Sequence, residues 1–379
     1  MNLRIVNGQV YDPETGKITK RDLYVNGEFM ADAPAEGPEA GTPITIDAEG
    51  CIVTTGLIDN HVHFYNYGTE NGTNPDAYAF PCGITTAVDA GSVGAGTYEG
   101  FRRSVMTATD VRIYTQLHMA SGGQAAEVYP ENQQARYFER AKICDLFRKY
   151  PDNLVGLKLR LSNGVLDPQY ADETLRETIQ MAEELGCNVT VHMSDPCIDT
   201  EKLASILRPG DVMCHIFHGK GETILDADGH VRKGVREAQE RGVVMDMANG
   251  RTNFDIIVGQ KAIADGMLPD IISSDINPPA YYLHPLHSLP RIMSKFLDFG
   301  MTLEQVLAAV TRTPARCIGH PELASLAAGT PADLAILKLV EKDVPYIDYN
   351  GNTFTGHQVI VPQMTVKDGK VMYCQADFQ

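Results

Sequence analysis

Six side chains, spread over more than two hundred residues, are of the types that hold divalent metals. They are His61 and His63 in GLIDNHVHF, Lys158 in LVGLKLRL, His192 in NVTVHMS, His215 in DVMCHIF and Asp275 in DIISSDI. Each lies in a short apolar run. Side chains alternate faces along a strand, so each run, read as a strand, sorts into two sets. Leu57, Asp59, His61 and His63 share one face, and Ile58, Asn60, Val62 and Phe64 the other. Lys158 and Arg160 oppose Val155, Leu157, Leu159 and Leu161. Thr190 and His192 oppose Val189, Val191 and Met193, while His215 opposes Val212, Cys214 and Ile216. Ser273 and Asp275 oppose Ile272 and Ile276. In every case the apolar face suits packing on helices and an ionisable group turns the other way.

Singly, each residue has a plainer explanation. His192 could be a satisfied core histidine, Asp275 a helix cap, and His215 the donor to a carbonyl. Lys158 is harder to explain away. An unpaired ammonium buried inside a closed sheet costs several kcal/mol or loses its proton. The free amine is nucleophilic and can take up CO2 as a carbamate, an anionic bridging ligand. Together, four imidazoles, a carbamate-capable lysine and a carboxylate supply two divalent cations with nitrogen and oxygen donors, a set that suits zinc. Two such cations, roughly 3.5–4 Å apart, can share a hydroxide and polarise a carbonyl.

The runs that carry these residues belong to a longer series: CIVTTGLID, GITTAVDA, VRIYTQLHM, LVGLKLRL, NVTVHMS, DVMCHIF, GVVMDMA and DIISSDI. Helical stretches separate them. In TLRETIQMAEELG, Leu175, Ile179 and Ala182 repeat at helical spacing and Gly186 can end the helix. In MTLEQVLAAV, Thr302 and Gln305 form a capping-box pattern. Eight strands alternating with helices predict an α/β fold, a (β/α)8 barrel over residues 53–325, with its site at the C-terminal ends of the strands. Both termini read instead as short strands and turns, with hairpin signals at Asn7-Gly8, Asn26-Gly27 and Asn350-Gly351 and a Pro/Gly/Ala loop over 31–43. One small β-sandwich domain built from residues 1–52 and 326–379 is the economical reading.

Composition narrows the function classes. The chain has 379 residues, 43% of them hydrophobic and 21% charged, with 32 Lys+Arg against 49 Asp+Glu and a net charge of −17. That acidity opposes nucleic acid and anionic membranes as partners. No apolar run reaches the length of a membrane helix, and the first residues lack the apolar block of a signal peptide. Eight scattered cysteines without a CxxC suit reduced thiols in the cytoplasm.

The combination of segments resembles the amidohydrolase superfamily. DAEGCIVTTGLIDNHVH is similar to its first-strand signature, and LVGLKLRLS, NVTVHMSD, DVMCHIFHG and IISSDIN are similar to its later ligand segments. GTPADLAIL and MTVKDGKVMY resemble its C-terminal signature. Within the superfamily the chain looks closest to a bacterial subgroup variously labelled dihydroorotase-like, adenine deaminase or deacetylase. The resemblance implies that His61, His63 and Asp275 hold one metal, that His192 and His215 hold a second, and that carboxylated Lys158 bridges them. It makes Asp275 the catalytic proton carrier. Two positions depart from the subgroup: His218 stands in place of its Asn, and Asn249-Gly250 in place of its His-Gly.

The expected activity is hydrolysis, by hydroxide on two zinc ions, of an amide or ester in a small N-acyl or O-acyl carboxylate. A cyclic amide, purine deamination and a non-catalytic scaffold are the successive alternatives. Arg160, His218, Asn249, Arg251 and His284 are the expected contacts to this small-molecule substrate. His287, Tyr281 and Tyr282 in NPPAYYLHPLH, and His118 after the third strand, are further candidates, and the Gly122-Gly123 loop is a possible lid. Barrels of this kind often associate, so a homo-oligomer is expected.

Overall fold

The computed structural model describes residues 1–35, 42–126, 128–283 and 287–378. Its centre is a parallel sheet whose strands run in sequence order: Leu57–Val62, Ile84–Gly94, Arg112–His118, Leu154–Arg160, Asn188–His192, Val212–Cys214 and Val244–Asp246. The segment Ile271–Ile276 closes the ring. Asp246 bridges to Ile271 on one side and Val62 to Ile276 on the other, both parallel. Backbone hydrogen bonds from Met247 N–H to Ile271 C=O (3.1 Å) and from Asp275 N–H to His61 C=O (2.8 Å) fix its register. The eight expected strands therefore form a (β/α)8 barrel.

The outward faces are apolar because helices cover them. Leu157, Leu159 and Leu161 are fully buried, and each such burial stabilises by about 2 kcal/mol. The helix Pro168–Leu185 buries Leu175, Ile179 and Ala182 as its spacing predicts. Asp167 caps its N-terminus, and Gly186, at φ 68°, ends it in the left-handed region. The helix Leu303–Ala309 begins on the complete Thr302/Gln305 capping box. No helix among the described residues is long and apolar enough to cross a membrane.

The termini form two further sheets. One runs Lys370–Cys374, Thr353–Lys367, Leu334–Ile347, Ile52–Thr55, Gln9–Asp12, Lys17–Lys20, and the other Phe29–Ala31, Leu23–Asn26, Asn2–Val6, Ile44–Asp47. Their inner faces meet in one apolar cluster that includes Leu3, Val25, Val53, Ile336 and Val366. Residues 36–41 of the Pro/Gly/Ala loop lie outside the described residues.

One run divides where the sequence reads as continuous. In CIVTTGLID, Ile52–Thr55 pairs with Leu334–Leu337 in the terminal sheet, and only Leu57–Val62 enters the barrel. Gly56 is the joint. A Cβ there would lie 2.0 Å from Thr85 Oγ1, so only glycine lets the chain pass this close to the next strand.

The long hairpin Leu334–Ile347/Thr353–Lys367 reaches past the sandwich onto the barrel. Its turn accepts Ile256 N–H on Asp348 Oδ2 (2.8 Å) and donates Asn350 Nδ2–H to Asp255 Oδ2 (2.7 Å).

Candidate metal centre

The C-terminal ends of five barrel strands bring together every side chain of the six-residue set. Lys158 Nζ is 3.3 Å from His61 Nε2. Asp275 Oδ1 is 3.2 Å from His63 Nε2 and 3.6 Å from His61 Nε2. The His192 and His215 rings lie edge to face with centroids 4.2 Å apart, and the His61 and His215 centroids are 5.0 Å apart. All are buried except His192, which is partly exposed to the cavity. Ligand atoms of His61, His63 and Asp275 lie within 4.8 Å of one another, and so do those of His61, Cys214 and His215.

The backbone is strained where strands six to eight end. His215, Ala248 and Asp275 adopt positive φ (65°, 28° and 50°), a region unfavourable for residues with a Cβ. This corrects one expectation. Strict alternation turns Cys214 outward, but regular strand ends at Cys214 and the chain reverses sense at His215. Both side chains consequently face the centre, with Cys214 Sγ 3.1 Å from His61 Nδ1.

Three imidazoles are held the same way. Nδ1 of His61 meets Cys214 Sγ, Nδ1 of His63 meets Ser92 Oγ at 2.9 Å, and Nδ1 of His215 meets the Ala248 carbonyl at 2.7 Å. A carbonyl can only accept, so the His215 proton is on Nδ1, and its Nε2 is left as a lone pair. The same carbonyl contact fixes the orientation of the ring. Asp89 supports His63 from behind, accepting N–H from Ser92 and Phe64 at 2.9 Å each. Burial disfavours the charged form of three rings: it pushes His61 and His192 well below the usual imidazole range and His215 down to about 3. Burial also lowers the Lys158 ammonium. Asp275 goes the other way. Burial alone would raise its pKa, but His63, His215 and the Asn253 amide, whose Nδ2–H donates to Oδ2 at 2.9 Å, hold it below the ordinary value.

A cavity of about 340 Å³ opens above these groups, lined by His61, His63, His192, Asn253, Asp275 and Arg160. Arg160 reaches it as expected but is already paired, through Nη1, with Glu131. His118 is wholly buried, with Nε2 3.1 Å from Glu131 Oε2. Burial would raise the Glu131 pKa, yet His118 and Arg160 hold it low.

The other expected contacts sit elsewhere. Asn249 and Arg251 line a separate hollow of about 20 Å³, room for one water, together with His287 and buried Lys295. There Asn249 Nδ2 is 3.2 Å from His287 Nδ1, and its Oδ1 accepts from Lys295. His218 is buried outside the cavity wall and accepts Lys220 N–H on Nδ1; burial brings its pKa to about 4. Tyr282 points to solvent and Tyr281 donates to the Ala77 carbonyl. His284 lies outside the described residues. Sequence reasoning passed over Glu131, Gln133, Asn253, Ser92 and Cys214. Only Ser92 and Cys214 fall in runs read as strands or their extensions; the others carry no periodic signal.

The family model for the Amidohydrolase family matches residues 52–372. The chain belongs to the amidohydrolase family. A deacetylase of Agrobacterium fabrum is 32% identical to this amidohydrolase over 348 residues, covering 91% of this chain and 85% of the relative. The crystal structure of a dihydroorotase superposes with a TM-score of 0.87 at 27% identity, covering 99% of this chain and 98% of that one. The crystal structure of an adenine deaminase gives 0.87 at 25% identity, with 98% and 99% covered. This amidohydrolase is therefore a hydrolase with the family's barrel, and its buried histidines and aspartate form candidate metal-binding clusters. The donor set fits divalent cations: imidazoles held through Nδ1, an ionised carboxylate, and an amine whose charge burial disfavours.

Proposed function

We propose that this amidohydrolase is a deacetylase that cleaves the amide or ester bond of a small N-acyl or O-acyl carboxylate, using two divalent metals, zinc by donor type. One observation carries the reading: oriented imidazoles converge on Asp275 and buried Lys158 at the floor of a cavity that has Arg160 in its wall. The similarity to the Agrobacterium deacetylase supports the acyl substrate. His61, His63 and Asp275 would hold one cation, His192 and His215 the other, and a carbamate on Lys158 would bridge them. When bound, the cations supply Lewis acidity, polarising a carbonyl and acidifying water.

The protein's own groups do the rest. Asp275 Oδ1 faces the reaction space while Asn253 holds Oδ2. The carboxylate takes a proton from the attacking water and returns it to the departing nitrogen or oxygen. Ser92, Cys214 and the Ala248 carbonyl keep three rings from turning. A net charge of −17 and the unpaired cysteines support a cytoplasmic enzyme that binds neither nucleic acid nor membrane.

The test is a panel of acetylated amino and hydroxy acids, dihydroorotate, hydantoins and adenine against zinc-loaded protein. Acyl carboxylates are expected to be turned over fastest, at about two zinc per chain by elemental analysis, and a chelator should abolish the activity until zinc is returned. Fastest turnover of dihydroorotate would install the cyclic-amide reading, which the dihydroorotase superposition favours.

Cys214 gives a separate prediction. Substituting valine removes the polar partner of His61 Nδ1, whereas serine keeps one. Cys214→Val is expected to weaken zinc about ten-fold or more, read by competition with a chromophoric chelator, and Cys214→Ser to stay near wild type. Equal affinity in both variants would mean that the sulfur does not position the ring.

A further inference from the structure

The cavity wall contains a carboxylate, Glu131, with three donor side chains around it. Glu131 is 12% exposed at its side chain. Its Oε1 pairs with Arg160 Nη1, and its Oε2 accepts Gln133 Nε2–H at 3.2 Å and faces His118 Nε2 at 3.1 Å. Two of the three donors, those of His118 and Gln133, are fixed independently of Glu131. His118 Nδ1 accepts Ala120 N–H at 3.0 Å, so the ring proton is on Nε2, beside the carboxylate but not directed straight at it. Gln133 is fully buried and its Oε1 accepts Arg160 N–H at 2.7 Å, which turns its amide nitrogen the same way. Arg160 lies beside His192 in the strand register, one step above Lys158 on its own face.

Glu131 nevertheless fits imperfectly. Arg160 Nε and His118 Nε2 are both buried, and neither makes a well-formed hydrogen bond. Unmet buried donors beside a carboxylate mean that the pocket can satisfy a carboxylate better than Glu131 does.

We propose that His118, Gln133 and Arg160 form a receptor for a substrate carboxylate, and that Glu131 is a built-in stand-in that the substrate displaces. This rests on the acyl-carboxylate reading above. Glu131 then sets specificity: a neutral acyl compound cannot replace it, whereas a carboxylate exchanges charge for charge and gains the unmet donors. Glu131 leaves by rotating its side chain into the cavity mouth, while Gln133 stays anchored to the Arg160 backbone.

The test measures binding, so it is independent of turnover. Benzoate is titrated calorimetrically into zinc-loaded wild type, Glu131→Gln and the double variant Glu131→Gln/Arg160→Gln, with benzamide as the uncharged counterpart. Loss of the competing charge is expected to tighten benzoate about ten-fold, since charge-assisted bonds are roughly twice as strong as neutral ones. Benzamide should not change, and the gain should vanish in the double variant. Glu131→Asp, which shortens the arm but keeps the charge, should give a smaller gain and covers the case in which the Gln variant does not fold. Unchanged or weaker benzoate binding would overturn the proposal and make Glu131 a fixed wall. A gain that survives the double variant would also overturn it, by assigning benzoate to the metals. If benzoate behaves as expected but no acyl carboxylate is hydrolysed, the receptor stands and the deacetylase reading falls.

Discussion

Asp275→Asn is expected to lower turnover by about 10³- to 10⁴-fold while leaving the fold intact. The substitution preserves shape, and Asn253 still finds an oxygen to donate to. What disappears is a carboxylate kept ionised by His63, His215 and Asn253 despite its burial. An amide cannot accept the proton of the attacking water, and that service is worth roughly 10²–10⁴ in rate. Loss of an anionic metal ligand adds to the deficit. Steady-state kinetics on zinc-loaded protein reads the effect, and the thermal midpoint checks the fold. Turnover within ten-fold of wild type at unchanged zinc content would remove Asp275 from the mechanism.

Lys158→Met is expected to abolish turnover and, in metal-free protein, to raise stability. Lys158 is fully buried, and its Nζ is 3.3 Å from the Nε2 of a neutral imidazole. The site is built around this chain: a Cβ on Gly91 would come within 2.6 Å of Lys158 Cγ. Methionine nearly fills the same volume without a polar head, so replacing a poorly satisfied amine should stabilise the metal-free protein by about 1–3 kcal/mol. A purely structural lysine predicts the reverse. Zinc content should fall from two to one or fewer per chain, because the bridging carbamate cannot form. Labelled bicarbonate should give a carbamate ¹³C resonance in wild type and none in the variant. Two zinc ions in Lys158→Met would end the bridging assignment.

Sequence alternation made much of this centre legible, because in a barrel strand the inward face is set by a period of two. His61, His63, Lys158, His192 and Asp275 follow it. Cys214 does not, because the reversal of φ at His215 is a tertiary strain with no signature in a single sequence. The two-part terminal sandwich was readable from turn signals at both ends, whereas the break at Gly56 was not: two strands of different sheets, joined by one glycine, look like a single apolar run. The groups around the cavity were least legible. Asn249 and Arg251 occupy the right loop but face Lys295 and His287. Glu131 lies in an irregular loop where only the folded chain reveals what it touches.

The pairing of Ile52–Thr55 with Leu334–Leu337 has a bearing on biosynthesis. At elongation rates of roughly 5–20 residues per second, the earlier strand leaves the ribosome about 15–60 s before its mate exists. Throughout that interval Ile52 and Val53 belong to an incomplete sheet edge, open to pairing with other nascent chains. A premature stop codon ahead of residue 334 would make that exposure permanent, so such a fragment should be recovered in inclusion bodies even though the barrel segments it encodes are nearly all present.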